Sequence, residues 1–132
     1  GLFSFGDFET TSLNTKGVQS AKIIDGDRVT GVMSFDKKAT DLLTLTDRGY
    51  MKRISISNLP TTKRAGKCIE LNATNGSLVS VLSMNNKTEG VFISTTSGVF
   101  AIDPMRIKSK SRLGKNDRMV ELKASDYAFD LV

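Results

Sequence analysis

The sequence predicts an all-β, propeller-type fold of repeated antiparallel units. Three observations predict it: a period of 48 or 49 residues, strand-patterned segments in each period, and a Gly-bearing turn between neighbouring strands. Set "VTGVMSFDKKATDLLTLTDRG" (29–49) over "LVSVLSMNNKTEGVFISTTSG" (78–98). Val32 then meets Val81, Ser34 meets Ser83, Lys38 meets Lys87, Leu42 meets Val91 and Gly49 meets Gly98. Likewise "GLFSFGDF" (1–8) lies over "GVFAIDPM" (98–105), and at the same offset Gly17 falls on Gly114. The 132 residues thus form a single repeat-built domain with units at about 1–48, 49–97 and 98–132, two full units and two-thirds of a third. Fewer than three complete units is short for a closed ring, so the chain reads as a fragment of a larger propeller or else as an open or self-associating array, the fragment being the expected case.

Taken in order, the elements support that class. "LLTLT" (42–46), "SLVSVLSM" (77–84) and "VFISTT" (91–96) alternate or are rich in β-branched residues. "TDRGY" and "TTSGV" join such runs through short turns whose Gly can take positive φ, a hairpin signature. The return strands are "YMKRISI" (50–56) and "VFAID" (99–103). No window of a dozen residues shows a 3.6-residue period, so each unit is expected to be one four-stranded antiparallel blade.

Composition excludes several chemistries. There is no His and one Cys, so neither a Ser-His or Cys-His nucleophile nor an internal disulfide is available. No metal site, cofactor or catalytic residue is expected. No apolar stretch approaches a membrane span and no export signal is legible, so the expected location is cytoplasmic.

The net charge is +5, and its distribution matters more than its size. Residues 1–47 hold five basic and seven acidic residues, whereas 48–67 hold Arg48, Lys52, Arg53, Lys63, Arg64 and Lys67 with no acid. Residues 106–118 hold Arg106, Lys108, Lys110, Arg112, Lys115 and Arg118 against Asp117 alone. Each unit also carries a loop with Gly in register: "LNTKGVQ" (Gly17), "TKRAGKC" (Gly66) and "KSRLGKN" (Gly114). A solvated face is the simpler explanation of any one such loop. Recurrence favours a phosphate track, because solubility does not require the same register twice. Gly lets backbone N–H groups approach closely, Arg forks suit phosphate oxygens, and a file of cations releases counterions from a duplex.

The segment "LLTLTDRGYMKRISISNLPTTKRAGKCIEL" (42–71), with its order T-x-x-G-Y-x-K-R … R-x-G-K, resembles a blade of the C-terminal domain of bacterial type IIA topoisomerase A subunits, those of DNA gyrase and topoisomerase IV. "VFISTTSGVFAID … SRLGKN" resembles the next blade. The resemblance implies a β-pinwheel whose basic perimeter binds and bends DNA. It also implies a parent ATP-dependent topoisomerase, in which the partners are duplex DNA, the B subunit, and the rest of the A polypeptide. The heptad of gyrase is Gln, two Arg, two Gly, Lys and Gly. Here Thr62, Lys63, Ala65 and Cys68 depart from it, which favours a topoisomerase IV-like module over a gyrase-like one.

The expected DNA contacts are Lys63, Arg64 and Lys67 first, then Lys110, Arg112 and Lys115, with Arg48, Lys52, Arg106 and Lys108 completing the set. Lys52 and Arg53 alternate along a strand and so point to opposite faces; Arg53 could instead close an ion pair. Tyr50 and Tyr127 lie in nothing resembling a DNA-cleaving centre. Cys68 reads as a small buried hydrophobe, and Phe3, Phe100 and the other Phe residues read as blade core. The rival function is a protein-interaction propeller with an incidental basic edge.

Overall fold

The computed structural model describes residues 2, 4, 8, 12–17, 19–62, 71 and 75–132 of the chain. Among these, the chain forms strands β1 (Asp41–Thr46), β2 (Tyr50–Ser55), β3 (Leu78–Met84), β4 (Val91–Thr95), β5 (Gly98–Ile102), β6 (Ser109–Lys110), β7 (Asp117–Arg118) and β8 (Ala128–Leu131). One sheet runs β3-β1-β2-β6, with β7 also pairing β2; the second runs β5-β4-β8. The architecture is all-β, as expected, with 3₁₀ turns at 56–58 and 104–106. The two sheets are not uniform four-stranded blades, because the two-residue strands β6 and β7 share the outer edge of β2.

Why β1 is central follows from its residues. It reads Asp-Leu-Leu-Thr-Leu-Thr, and Leu43, Thr44, Leu45 and Thr46 are all buried, so both of its faces are covered. Leu43 and Leu45 share a face with Met51, since Leu45 pairs with Met51 and strand residues alternate. That face meets Val91, Ile93, Ala128 and Leu131 of the second sheet in the main buried cluster, which Ile107 and Val120 complete. Fully burying one such side chain contributes about 1.5–3 kcal/mol, so this junction is the principal apolar support of the molecule.

The two hairpins differ by one residue. Asp47, Arg48 and Gly49 separate β1 from β2, whereas Thr96 and Ser97 alone separate β4 from β5. Gly98, aligned with Gly49 by the ungapped repeat, is therefore the first residue of β5 and pairs with Thr95. Both glycines do take positive φ, 78° and 144°. Bulges at Leu45/Thr46 and at Ser94/Thr95 lie 49 positions apart and mark the true register of β1 on β4.

The first unit differs most from expectation. Residues 29–35 align with β3 but form no strand. In the other sheets the third strand pairs with a first strand lying well before it: β3 with β1 and β8 with β4. Gly31 lies against Val81 instead. Phe92 and Phe129, expected in the core, are half-exposed, and Phe100 is 38% exposed. Phe3 lies outside the described residues.

Gly49 is held tightly at the fold's centre. A Cβ there would lie 2.7 Å from the carbonyl oxygen of Val120, and its φ of +78° is one that L side chains rarely adopt. Gly49→Ala is expected to cost about 1–3 kcal/mol of unfolding free energy, read by urea denaturation. An unchanged midpoint would show that the approach of Val120 is not a constraint.

Candidate nucleic-acid interface

The outer edge of β2 is where cations of two sequence units meet. Residues 109–118 leave the second sheet, cross to the first, and lie along β2. Ser109 and Lys110 pair in parallel with Arg53 and Ile54, and Asp117 and Arg118 pair antiparallel with Met51 and Tyr50. The intervening turn is closed by Gly114 N–H donating to the Ser111 carbonyl at 3.0 Å. Basic residues fifty or more positions apart are thereby brought onto one edge.

Many of those cations serve the fold. Lys52 is 1% exposed, and its Nζ donates to the Arg112 carbonyl at 3.0 Å. Burial, and then the neighbouring Lys110 ammonium, hold its pKa below the usual lysine value. Lys52, expected among the DNA contacts, is thus held inside the fold. Arg48 is likewise occupied, with its guanidinium donating to the carbonyls of Asp126, Lys123 and Leu122. Arg53 pairs with Asp41 at 3.2 Å, the alternative its strand position left open. Lys110 reaches Asp117 at 2.7 Å and the Lys115 carbonyl at 3.0 Å, an internal clasp across the loop.

Others face water. Lys108, Lys115 and Arg118 are exposed. Arg106 is exposed too, touching Asp103 only at 4.0 Å, and Arg112 is half-buried. Arg118 belongs to the charge run in the sequence but to no motif. Its place opposite Tyr50 sets it on the rim of a shallow cleft of about 340 Å³ bordered by Arg48, Asn75, Glu121 and Leu122. The signal that could have found it is the adjacent Asp117: once Asp117 turns to Lys110, Arg118 must point the other way along the strand.

The foremost expected contacts, Lys63, Arg64 and Lys67 with Gly66, and also Cys68, lie outside the described residues. Of the other loop glycines, Gly17 has φ +74° in open space. Gly114 is not among the positive-φ glycines, and a Cβ on it would meet the Lys110 side chain at 3.1 Å. The two loops thus share a glycine but not a backbone conformation. Tyr127 packs edge to face on Phe129, 6.3 Å between ring centroids, which gives it a packing role. Among the described residues no cluster of three His, Cys, Asp or Glu side chains could hold a metal, and no helix is long and apolar enough to cross a membrane.

Comparison with known proteins gives a consistent picture. The family model described as DNA gyrase C-terminal domain, beta-propeller, matches residues 2–36 and 40–83. The DNA gyrase A protein of Mycolicibacterium smegmatis is 31% identical over 115 residues, 85% of this chain and 14% of that relative. Its counterpart from Staphylococcus epidermidis is 23% identical over 124 residues, 91% of this chain and 14% of the relative. The chain therefore spans about one-seventh of these curated relatives. A solved DNA gyrase A C-terminal domain superposes with a TM-score of 0.87 at 19% identity, over 98% of this chain and 45% of that one. A crystal structure of the C-terminal domain of DNA topoisomerase IV does so with 0.86 at 14% identity, over 98% and 42%.

The buried Lys52 has a pH signature. Its folded pKa lies below the unfolded 10.5, so between the two the unfolded chain binds more protons and stability rises with pH. Lys52→Met removes that dependence. The stability of Lys52→Met minus that of the parent is expected to shrink as pH rises towards 10.5, measured by urea unfolding at each pH. A constant difference would contradict the burial of a charged amine.

Proposed function

Because the chain belongs to the DNA gyrase C-terminal domain family of β-propellers, we propose that it is a non-catalytic module that holds duplex DNA along the outer edge of β2. The observation that carries this reading is the crossing of 109–118 onto β2, which gathers cations of two units while leaving Lys108, Lys115 and Arg118 exposed. Lys63, Arg64 and Lys67 extend the same track in this proposal, as Arg106 and Arg112 do at its other end. Contacts are to phosphate oxygens, so sequence preference is slight and bending follows the curvature of the edge.

In the parent enzyme, a bacterial cytoplasmic ATP-dependent type II topoisomerase, the module would work beside the B subunit, joined to the remainder of its own A polypeptide. It presents the duplex that the enzyme transports. Within that family the degenerate heptad at 62–68 supports a topoisomerase IV-like role, holding DNA without a chiral wrap. The gyrase-like reading is favoured by its sequence relatives, which are gyrase A proteins. Religating a nicked plasmid in the presence of the chain separates the two: a linking-number shift that grows with protein indicates wrapping, and no shift indicates holding alone.

Duplex binding is tested by fluorescence anisotropy across a salt series. With roughly six phosphates neutralised, log K should fall with log salt at a slope of about −5, at ~0.9 per phosphate. Lys108→Glu/Lys115→Glu/Arg118→Glu and Lys63→Glu/Arg64→Glu/Lys67→Glu should each weaken binding about tenfold or more with the fold intact. Lys52→Met should not. A slope near zero, or triple variants that bind like the parent, would leave the protein-interaction propeller as the better reading.

A further inference from the structure

A second cleft, of about 530 Å³, opens beside the junction of β3 with β8, where the Ser80 hydroxyl meets Asp130. In the first sheet β3 and β6 are opposite edges, so this cleft lies away from the cationic edge of β2. Its walls are Val79 of β3, Tyr127 and Phe129 around the start of β8, and the segment carrying Arg28 and Val29. Two β-bulges shape it. Between Leu45 and Thr46 the ladder skips Val79, and between Ser94 and Thr95 it skips Phe129. A bulged residue is re-aimed out of the regular alternation, and both of these line the cleft.

Three features of the lining select a ligand. Tyr127 and Phe129 meet edge to face, which leaves the rings 52% and 51% exposed. Bare aromatic faces take a flat ring by offset stacking. Arg28 is exposed, and its guanidinium pairs with no described carboxylate. Such a fork suits an anion that offers two oxygens. Asp47 borders the same cleft and accepts the Ser77 N–H at 2.8 Å with one carboxylate oxygen, so its other oxygen can accept a further N–H. Arg28 and Asp47 thus face one cleft with opposite charges and do not close on each other.

A flat ring, an N–H donor on that ring and an anionic group beyond it occur together in a nucleotide. We propose that the cleft is a nucleotide site: a base stacks on Phe129 and Tyr127, its amino or ring N–H donates to Asp47, and its phosphate sits on Arg28. The bases of a duplex are already stacked and paired, so the ligand is an unpaired nucleotide, either free or within a single strand. The volume lies in the ~300–1,000 Å³ range of small-molecule sites. This site is separate from the duplex track, since none of Lys108, Lys115 and Arg118 borders it.

The probe is 2-aminopurine, a base whose fluorescence falls when it stacks, offered as the free monophosphate and within a short single strand. The chain should quench it. Phe129→Leu, which keeps an apolar side chain, and Arg28→Ala, at an exposed position, should each weaken that binding about tenfold. Both variants should keep the parent's urea midpoint and its duplex anisotropy. Quenching of both probes assigns the site to the nucleotide itself, and quenching of the strand alone assigns it to single-stranded DNA; either supports the proposal. No quenching, or quenching that Phe129→Leu and Arg28→Ala leave intact, would overturn it, whether or not the chain binds duplex.

Discussion

Three consecutive residues, Asp47, Arg48 and Gly49, hold the two sheets in their relative places. The Asp47 carboxylate accepts the Ser77 N–H at 2.8 Å and its carbonyl accepts the Ala128 N–H at 2.8 Å, joining the turn to β3 on one side and to β8 on the other. The Gly49 carbonyl accepts from the N–H groups of Met119 and Val120, directly after β7. Arg48 supplies donors to three carbonyls in the 122–126 segment, where no strand ladder runs. The turn is tight because the missing side chain of Gly49 allows Val120 to approach. The path of 109–118 over β2 depends on this knot, since the chain leaving β7 is fastened to it at once.

That arrangement explains why Arg48 and Lys52 need no acid close by in the sequence. A cation in a fold needs a partner, and the common assumption is that the partner is a carboxylate. Here the partners of Arg48 and Lys52 are backbone carbonyls at turns, where lone pairs have no helix or ladder to fill them. Carbonyl oxygens orient a cation without cancelling its charge. Arg48 and Lys52 therefore add positive charge at this edge, unlike Arg53 and Lys110, which Asp41 and Asp117 neutralise, and the exposed Lys115 and Arg118 stand in that same field. Structural and exposed cations reinforce one another electrostatically, and only the second group is open to solvent.

Much of the fold was legible because it is local. Alternation and β-branching located β1, β3 and β4, and the glycine turns located β2 and β5. The missed features are non-local. Two-residue strands such as β6 and β7 have no periodicity to read; they exist because β2 has a free edge and 109–118 is held against it. The burial of Lys52 was hidden because a Lys within an alternating basic strand looks like a solvated one, and only the loop laid over it removes the water. Phe92 misled in the opposite sense: its strand is core-like, but its own face of the second sheet is the uncovered one. The ungapped offset of 49 also concealed the shorter second hairpin, because Gly98 matches Gly49 in type while serving a different position.

Repeat arrays derive stability from each unit and from each junction between units, so position in the array sets rigidity. The sheet of β1, β2 and β3 has the second sheet on one face, and Thr44, Thr46, Lys52 and Ile54 are buried on the other; it is the interior member. The segment 109–118 is paired to that sheet, although by sequence it belongs to the next unit. A surface meant to hold a stiff, highly charged rod gains from such placement. Repulsion among Lys108, Lys115 and Arg118 without a ligand tends to splay a loop, and a loop splayed before binding must be reordered at an entropic cost. Pairing its two ends to the best-supported strand and joining those ends to each other through Lys110 and Asp117 meets that cost during folding, so the cations stand at fixed spacing in the free protein.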